Sequence, residues 1–251
     1  MFFLYQFIVS LLIILSPLVI LYRLIKKKED INRFKEKFCF PSKKRISGKL
    51  IWFHGASIGE IMSIIPLIKN YEKNSSIDQI LLTSSTLSSS KIIKKFKFKK
   101  TIHQFYPIDH FLFTNKFINY WKPNIAIFIE SEIWPYMFKN LGGKGIPLIL
   151  LNARLTKKTF DRWMKIESFT KKIFKKISIA YPQNLETLSF LKKFNANKIN
   201  LIGNLKFVEN YDEKLNNINA ELKSQLNKKK VWVASSTHNN EEIFCAKAHI
   251  I

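Results

Sequence analysis

Residues 2–22, "FFLYQFIVSLLIILSPLVILY", form an apolar run without a charge, and about 20 such residues are enough for a helix to cross a bilayer core. "RLIKKK" follows at once, with Arg23, Lys26, Lys27 and Lys28. The positive-inside rule places this end, and the body behind it, on the cytoplasmic side. A cleaved signal peptide would carry its positive charge before the apolar run and a small-residue cleavage site after it, and neither is present. The run is expected to be a membrane anchor. It either spans the bilayer or, with Pro17 as a kink, lies at the interface.

From Gly48 onward, short apolar runs alternate with helical patterns, which predicts βα units around a parallel sheet. "KLIWFHG", "QILLTSS", "PNIAIFIE", "IPLILLNAR", "ISIAYPQ" and "INLIGN" read as strands, and "HQFYPID" as a short strand or loop. Helices are expected over "GEIMSIIPLIKNYEK", "SSSKIIKKFKF", "HFLFTNKFINYW", "WPYMFKNLGGKG", around "FTKKIFKKI", and over "NLETLSFLKKF". The predicted fold is a Rossmann-like, doubly wound α/β domain over 29–206, behind an anchor and basic flank at 1–28. Residues 207–230 are polar and lysine-rich and read as a linker or surface helix. "KVWVASSTHNNEEIFCAKAHI" then reads as strand, loop and helix. A lone βα unit cannot cover both faces of its strand, so 231–251 is expected to begin a second, truncated domain.

Composition narrows the partners. There are 42 Lys and Arg against 18 Asp and Glu, a formal charge of +24, which favours anionic partners such as acidic lipids or anionic sugars. The lysines also fit the usage of an AT-rich genome, with Lys, Ile, Phe and Asn abundant and only 7 Gly. Charge alone would admit nucleic acid, but no nucleic-acid-binding motif accompanies it and a membrane anchor argues against it. The two cysteines, Cys39 and Cys245, give no disulfide framework, and the five histidines show no HxxxH or HExxH spacing. No metal and no cofactor are expected.

The residues with chemical potential fall at strand ends, where open α/β sheets bind ligands. "GASIGE" offers small residues, Ser57 and Gly59 among them, for a close turn that presents helix amides to an anion, with Glu60 in the first helical turn. Glu60 can equally be a helix-dipole acid. Glu130 and Glu132, two residues apart at the end of an apolar run, can be a proton-transfer pair or caps. "GNLKF" places Asn204 and Lys206 after another strand, where the ammonium can neutralise an anion or simply be solvated. The "SSTH" turn, with Ser236, Thr237 and His238, has the hydroxyls and amides of a phosphate cradle but no glycine.

"HGASIGE", "IESEIWP", "PLILLNARL", "IGNLKF" and "VWVASSTHNNEE" stand in the order and approximate spacing of the bacterial 3-deoxy-D-manno-octulosonic acid (Kdo) transferases of lipid A biosynthesis, and the chain resembles that family from the membrane segment to its end. The resemblance implies an inner-membrane, GT-B type, inverting glycosyltransferase that moves Kdo from CMP-Kdo to a lipid A precursor (lipid IVA). By matched motif it implies Glu60 as general base, with Glu130 and Lys206 supporting the transition state. It also implies that Ser57, Gly59, Asn204, Ser236, Thr237 and His238 contact substrate. The first helical turn is expected to keep Glu60 ionised without a strongly raised pKa. The family's donor-binding domain, with its Pro-Arg phosphate motif, is not found after Ile251. An inactive, membrane-tethered module that binds anionic lipid headgroups is therefore the alternative reading. For membrane contact, the basic aromatic stretches 91–100 and 110–121 are the candidates, because interleaved Phe and Lys can insert rings while the cations meet phosphate.

Overall fold

The computed structural model describes residues 1–207, 220–227, 229, 231–235, 237–238 and 240–250. The chain divides into two compact units, Met1–Glu209 and Asn210–Ile251.

In the first unit an apolar helix, α1 (Phe2–Ile25), precedes a short 3-10 turn (Phe34–Phe38) and an alternation of strands and helices. In order these are β1 (Leu50–His54), α2 (Ile58–Glu72), β2 (Gln79–Ser84), α3 (Leu87–Ile93), β3 (Thr101–Phe105), α4 (Phe111–Trp121), β4 (Ile125–Ile129) and α5 (Pro135–Gly143). The series continues with β5 (Leu148–Ala153), α6 (Lys157–Met164), α7 (Glu167–Phe174), β6 (Ile179–Pro182), α8 (Leu185–Lys193) and β7 (Lys198–Ile199). Among the described residues the strands form one sheet in the order β3-β2-β1-β4-β5-β6-β7. Every pairing is parallel. This is the expected doubly wound α/β architecture.

Helices cover both sheet faces, which is why the strands read as unbroken apolar runs. Alternate residues of β1 enter two separate cores. Leu50 and Trp52 pack with Phe117, Trp121, Phe128 and Phe138 on one side. Ile51 and Phe53 pack with Ile61, Ile64, Ile65 and Ile68 of α2 on the other. Local chemistry starts the helices: the side chains of Ser57, Thr86, Thr156 and Asn184 each accept from a backbone amide of the first turn. The 3-10 turn is tied to β3 by Glu36, which takes the Arg33 guanidinium at 2.7 and 2.9 Å and the Phe105 amide at 2.7 Å.

Three expectations are corrected. The basic helix over 88–98 ends at Ile93, because Phe96 and Phe98 leave the helical path to stack on each other at 5.5 Å and pack against the second core. The strand expected over 199–204 is regular only over Lys198–Ile199; the Asn200 and Ile202 amides still reach the Ala180 and Pro182 carbonyls, and the chain turns at Gly203, φ +80°. The stretch 103–109, read as a short strand or loop, supplies the last three residues of β3 and the loop after it, as expected. In the second unit, residues 231–235 carry no strand, and the described helices there are α9 (Ala220–Leu226), within the expected linker, and α10 (Glu241–Ile250).

Candidate active site

The sheet order reverses direction between β1 and β4, and the crevice beyond such a switch point is where open α/β sheets bind ligands. Glu60 follows β1 there, and Glu130 follows β4.

Glu60 is the third residue of α2, and Ser57 is its N-cap. The Ser57 hydroxyl accepts from the Glu60 amide at 3.3 Å and donates to Glu60 Oε1 at 3.0 Å, while Glu60 Oε2 accepts from the Ala56 amide at 2.7 Å. Two amides expected to meet an external anion are thus taken inside a reciprocal helix cap. Burial pushes the Glu60 pKa above the ordinary carboxylate value, the negative charge of Glu132 adds to this, and the bonds from Ala56 and Ser57 oppose it. The expectation of a carboxylate held ionised by the helix terminus therefore accounts for only one side of the balance. Desolvation and like charge outweigh it.

Glu130 is buried and sits at φ +54°, a left-handed conformation unusual for a residue with a Cβ. Its Oε1 lies 2.7 Å from Lys206 Nζ, a contact of charges whose angle falls short of a hydrogen bond. Lys206 is placed by two asparagines. Asn204 Oδ1 accepts the Lys206 amide at 3.0 Å, and Asn152 Oδ1 accepts the Leu205 amide at 3.1 Å. The same ammonium comes within 4.0 Å of the point where a Cβ on Gly59 would stand. Glu60, Glu130 and Lys206, predicted from three separate motifs, therefore meet around one crevice, with Ser57, Gly59 and Asn204 as their immediate supports.

Glu132 faces a different neighbour. Its Oε2 lies 3.1 Å from His54 Nε2 and accepts from Trp134 Nε1 at 2.9 Å. The His54 ring is fully buried, stacks on Tyr106 at 3.8 Å and has Nδ1 3.0 Å from Thr83 Oγ1. Sequence reasoning set His54 aside for want of metal-ligand spacing. Among the described residues no group of three or more His, Cys, Asp or Glu could hold a metal.

Beside Lys206 opens a polar cleft of about 420 Å³ over the ends of β5 and β6, lined by Arg154, Lys157, Gln183, Asn184, Glu186 and Asn204. Three cations, Arg154, Lys157 and Lys206, stand there against one acid. The sequence carried a signal for part of this, because "NAR" directly follows an apolar strand, but Asn152 and Arg154 were not singled out from it.

In the second unit Thr237 and His238 precede α10. The Thr237 hydroxyl donates to Glu242 at 3.1 Å and the His238 amide to Glu241 at 2.8 Å, so both donors expected for a phosphate are engaged by acids of the first helical turn. Ser236 lies outside the described residues.

A family profile described as 3-Deoxy-D-manno-octulosonic-acid transferase (kdotransferase) matches residues 32–209. The 3-deoxy-D-manno-octulosonic acid transferase of Rickettsia bellii is 37% identical over 95% of this chain and 57% of its own length. A probable mitochondrial 3-deoxy-D-manno-octulosonic acid transferase of Arabidopsis thaliana is 36% identical over 96% and 56%, and the Haemophilus influenzae enzyme 28% identical over 97% and 58%. The chain thus spans little more than half the length of these relatives. Among solved structures, the UDP-GlcNAc 2-epimerase of Neisseria meningitidis aligns at a TM-score of 0.47 with 14% identity, over 71% of this chain and 53% of that one.

Proposed function

Since the chain belongs to the Kdo transferase family, we propose that it is the acceptor-side part of an inverting, GT-B type glycosyltransferase that moves Kdo from CMP-Kdo to a lipid A precursor, lipid IVA, in lipopolysaccharide biosynthesis. The observation that carries this reading is the meeting of Glu60, Glu130 and Lys206 at the switch point of the sheet.

In this reading Glu60 takes the proton of the acceptor hydroxyl on the face opposite the departing nucleotide. Burial and the neighbouring acids raise its proton affinity, and a stronger base takes the proton more readily. Lys206 is a point charge for the carboxylate of the incoming sugar, and Glu130 holds that ammonium in place and supplies negative charge near an oxocarbenium-like centre. The cleft with Arg154 and Lys157 suits a phosphate of the acceptor. The second unit is read as the start of the donor-binding domain, where helix N-termini would stabilise the phosphate of leaving CMP.

In this reading the apolar α1 attaches the chain to the inner membrane, and the basic residues behind it favour its anionic cytoplasmic leaflet as the side on which the catalytic part stands. The reading is tested by incubating the full gene product that contains this chain with CMP-Kdo and lipid IVA and following the lipid by mass spectrometry. Addition of Kdo with release of CMP is expected, and an unchanged lipid with intact, folded protein would overturn it.

A further inference from the structure

We propose that α1 lies flat in the headgroup region of one anionic leaflet, docked to the α/β unit through its first ten residues and tied at its end to the turn that follows, and does not cross the bilayer. The inference rests on the membrane attachment proposed above but not on the transfer chemistry.

The helix has 24 residues, a length of roughly 36 Å at about 1.5 Å per residue. Its exposure follows the helical period from end to end. Phe3, Phe7, Ile14, Leu18, Leu21 and Ile25 share one face and are between 56% and 91% exposed. Phe2, Tyr5, Val9, Ser16, Ile20 and Arg23 share the opposite face and are half-buried or buried. A helix leaving the protein to span a membrane would be exposed all round beyond its root, whereas this one is shielded on one side throughout.

Named contacts fix both ends. Near the start, the Tyr5 hydroxyl donates to Asp109 Oδ2 at 2.8 Å, the Tyr136 hydroxyl donates to the Phe2 carbonyl at 2.9 Å, and the Phe2 ring meets Phe169 edge-on at 4.8 Å. Gln6 and Ser10 both reach the His110 ring. At the far end, Arg23 Nε donates to Glu29 Oε2 at 3.1 Å, and the same oxygen takes Lys37 Nζ at 2.6 Å. Asp109 also accepts the Tyr136 and Met137 amides at the start of α5. If α1 spanned the bilayer with Arg23 at the near surface, Phe2–Ser10 would reach the far leaflet. They would carry the starts of α4 and α5, with a buried carboxylate, into or through hydrocarbon, which offers polar backbone no partner.

The outward face has the composition of an interfacial helix. It is apolar along its length and ends in exposed Lys26, Lys27 and Lys28. Next to the docked residues, Phe111 and Leu112 at the start of α4 are also exposed, and Lys139 stands 4.7 Å over the Phe2 ring. Apolar insertion rimmed by cations fits an anionic leaflet, and the +24 charge of the chain acts in the same sense.

The test is the depth of nitroxide labels at Phe3→Cys, Phe7→Cys, Ile14→Cys, Leu18→Cys and Leu21→Cys. They are carried by the full chain with Cys245→Ser, bound to phosphatidylethanolamine and phosphatidylglycerol vesicles. Cys39 is buried, and each label replaces an exposed side chain, so the fold is kept. Collision with oxygen against a water-soluble nickel chelate gives each depth. Five similar depths, about 5 to 10 Å below the headgroups, are expected. Depths that differ by more than about 10 Å, with Ile14 near the midplane at about 15 Å, would overturn the flat placement while leaving attachment intact. Labels that stay in water would overturn the attachment itself, with or without transfer activity.

Discussion

Glu60→Gln separates a catalytic base from a helix cap, because the two roles predict effects of different size. The glutamine keeps a carbonyl oxygen for the Ala56 amide, and its amide group can donate to the Ser57 hydroxyl that now donates to Glu60. The cap therefore survives. Losing a first-turn charge costs about 0.3 to 1 kcal/mol, and removing the half-buried carboxylate from the repulsion of Glu132 and Glu130 acts in the opposite sense. Net stability should stay within about 1 kcal/mol of the parent. A lost general base lowers the rate about 10²- to 10⁴-fold, or roughly 3 to 5 kcal/mol of barrier. Single-turnover Kdo transfer by the full gene product, paired with urea unfolding of the same preparations, reads both quantities. A rate within about threefold of the parent at unchanged stability would refute the base assignment. A rate loss that merely tracked an increased unfolded fraction would return Glu60 to a capping role.

Glu132→Gln removes the main like charge raising the Glu60 pKa. The base works only when ionised, so the acid limb of kcat/KM should move to lower pH, and a limb that stays put or moves up would contradict the coupling. Lys206→Ala leaves buried Glu130 without its cation, and transfer should fall at least about tenfold and be partly rescued by Lys206→Arg if a point charge is what matters. Equal loss in both variants would point to shape instead. His103 is held neutral, with burial first and the Arg33 charge second pushing its pKa down to about 3. The unfolded chain takes up a proton near pH 6.5 and the folded one does not, so stability should be full above that value and fall as pH drops toward about 3. Unfolding midpoints compared with His103→Gln should fall more steeply with decreasing pH in the parent than in the variant, and equal slopes would contradict the assignment.

Much of the sheet was legible because burial on both faces leaves an apolar run whatever the helices do. "IWFHG" and "IAIFIE" could hardly be anything else. Glu130 and Lys206 were legible as charged residues just past such runs. Their pairing was not, since it depends on which strands become neighbours and on a turn held by Asn152, fifty residues from the lysine it positions. His54 was hidden for a related reason: its partners, Thr83 and Glu132, come from other strand ends. The end of α3 at Ile93 was misjudged because "KKFKFKK" suits a basic amphipathic helix, and only the available core position draws Phe96 and Phe98 off that path. In α1 the polar residues Tyr5, Gln6 and Ser10 recur at helical spacing, but their partners lie about a hundred residues on, so a long apolar helix was legible and its seat was not.

The left-handed backbone at Glu130 and at Asn152, φ +54° and +52°, bears on how far this molecule could be hardened. A residue with a Cβ held there costs about 1 to 3 kcal/mol, and a glycine at either position would relax the chain. It would also remove the carboxylate facing Lys206, or the side-chain oxygen that fixes the turn before it. Selection for thermal robustness alone should therefore gather substitutions at these two positions and discard the proposed transfer activity in doing so. A search for sturdier variants needs an activity screen from its first round.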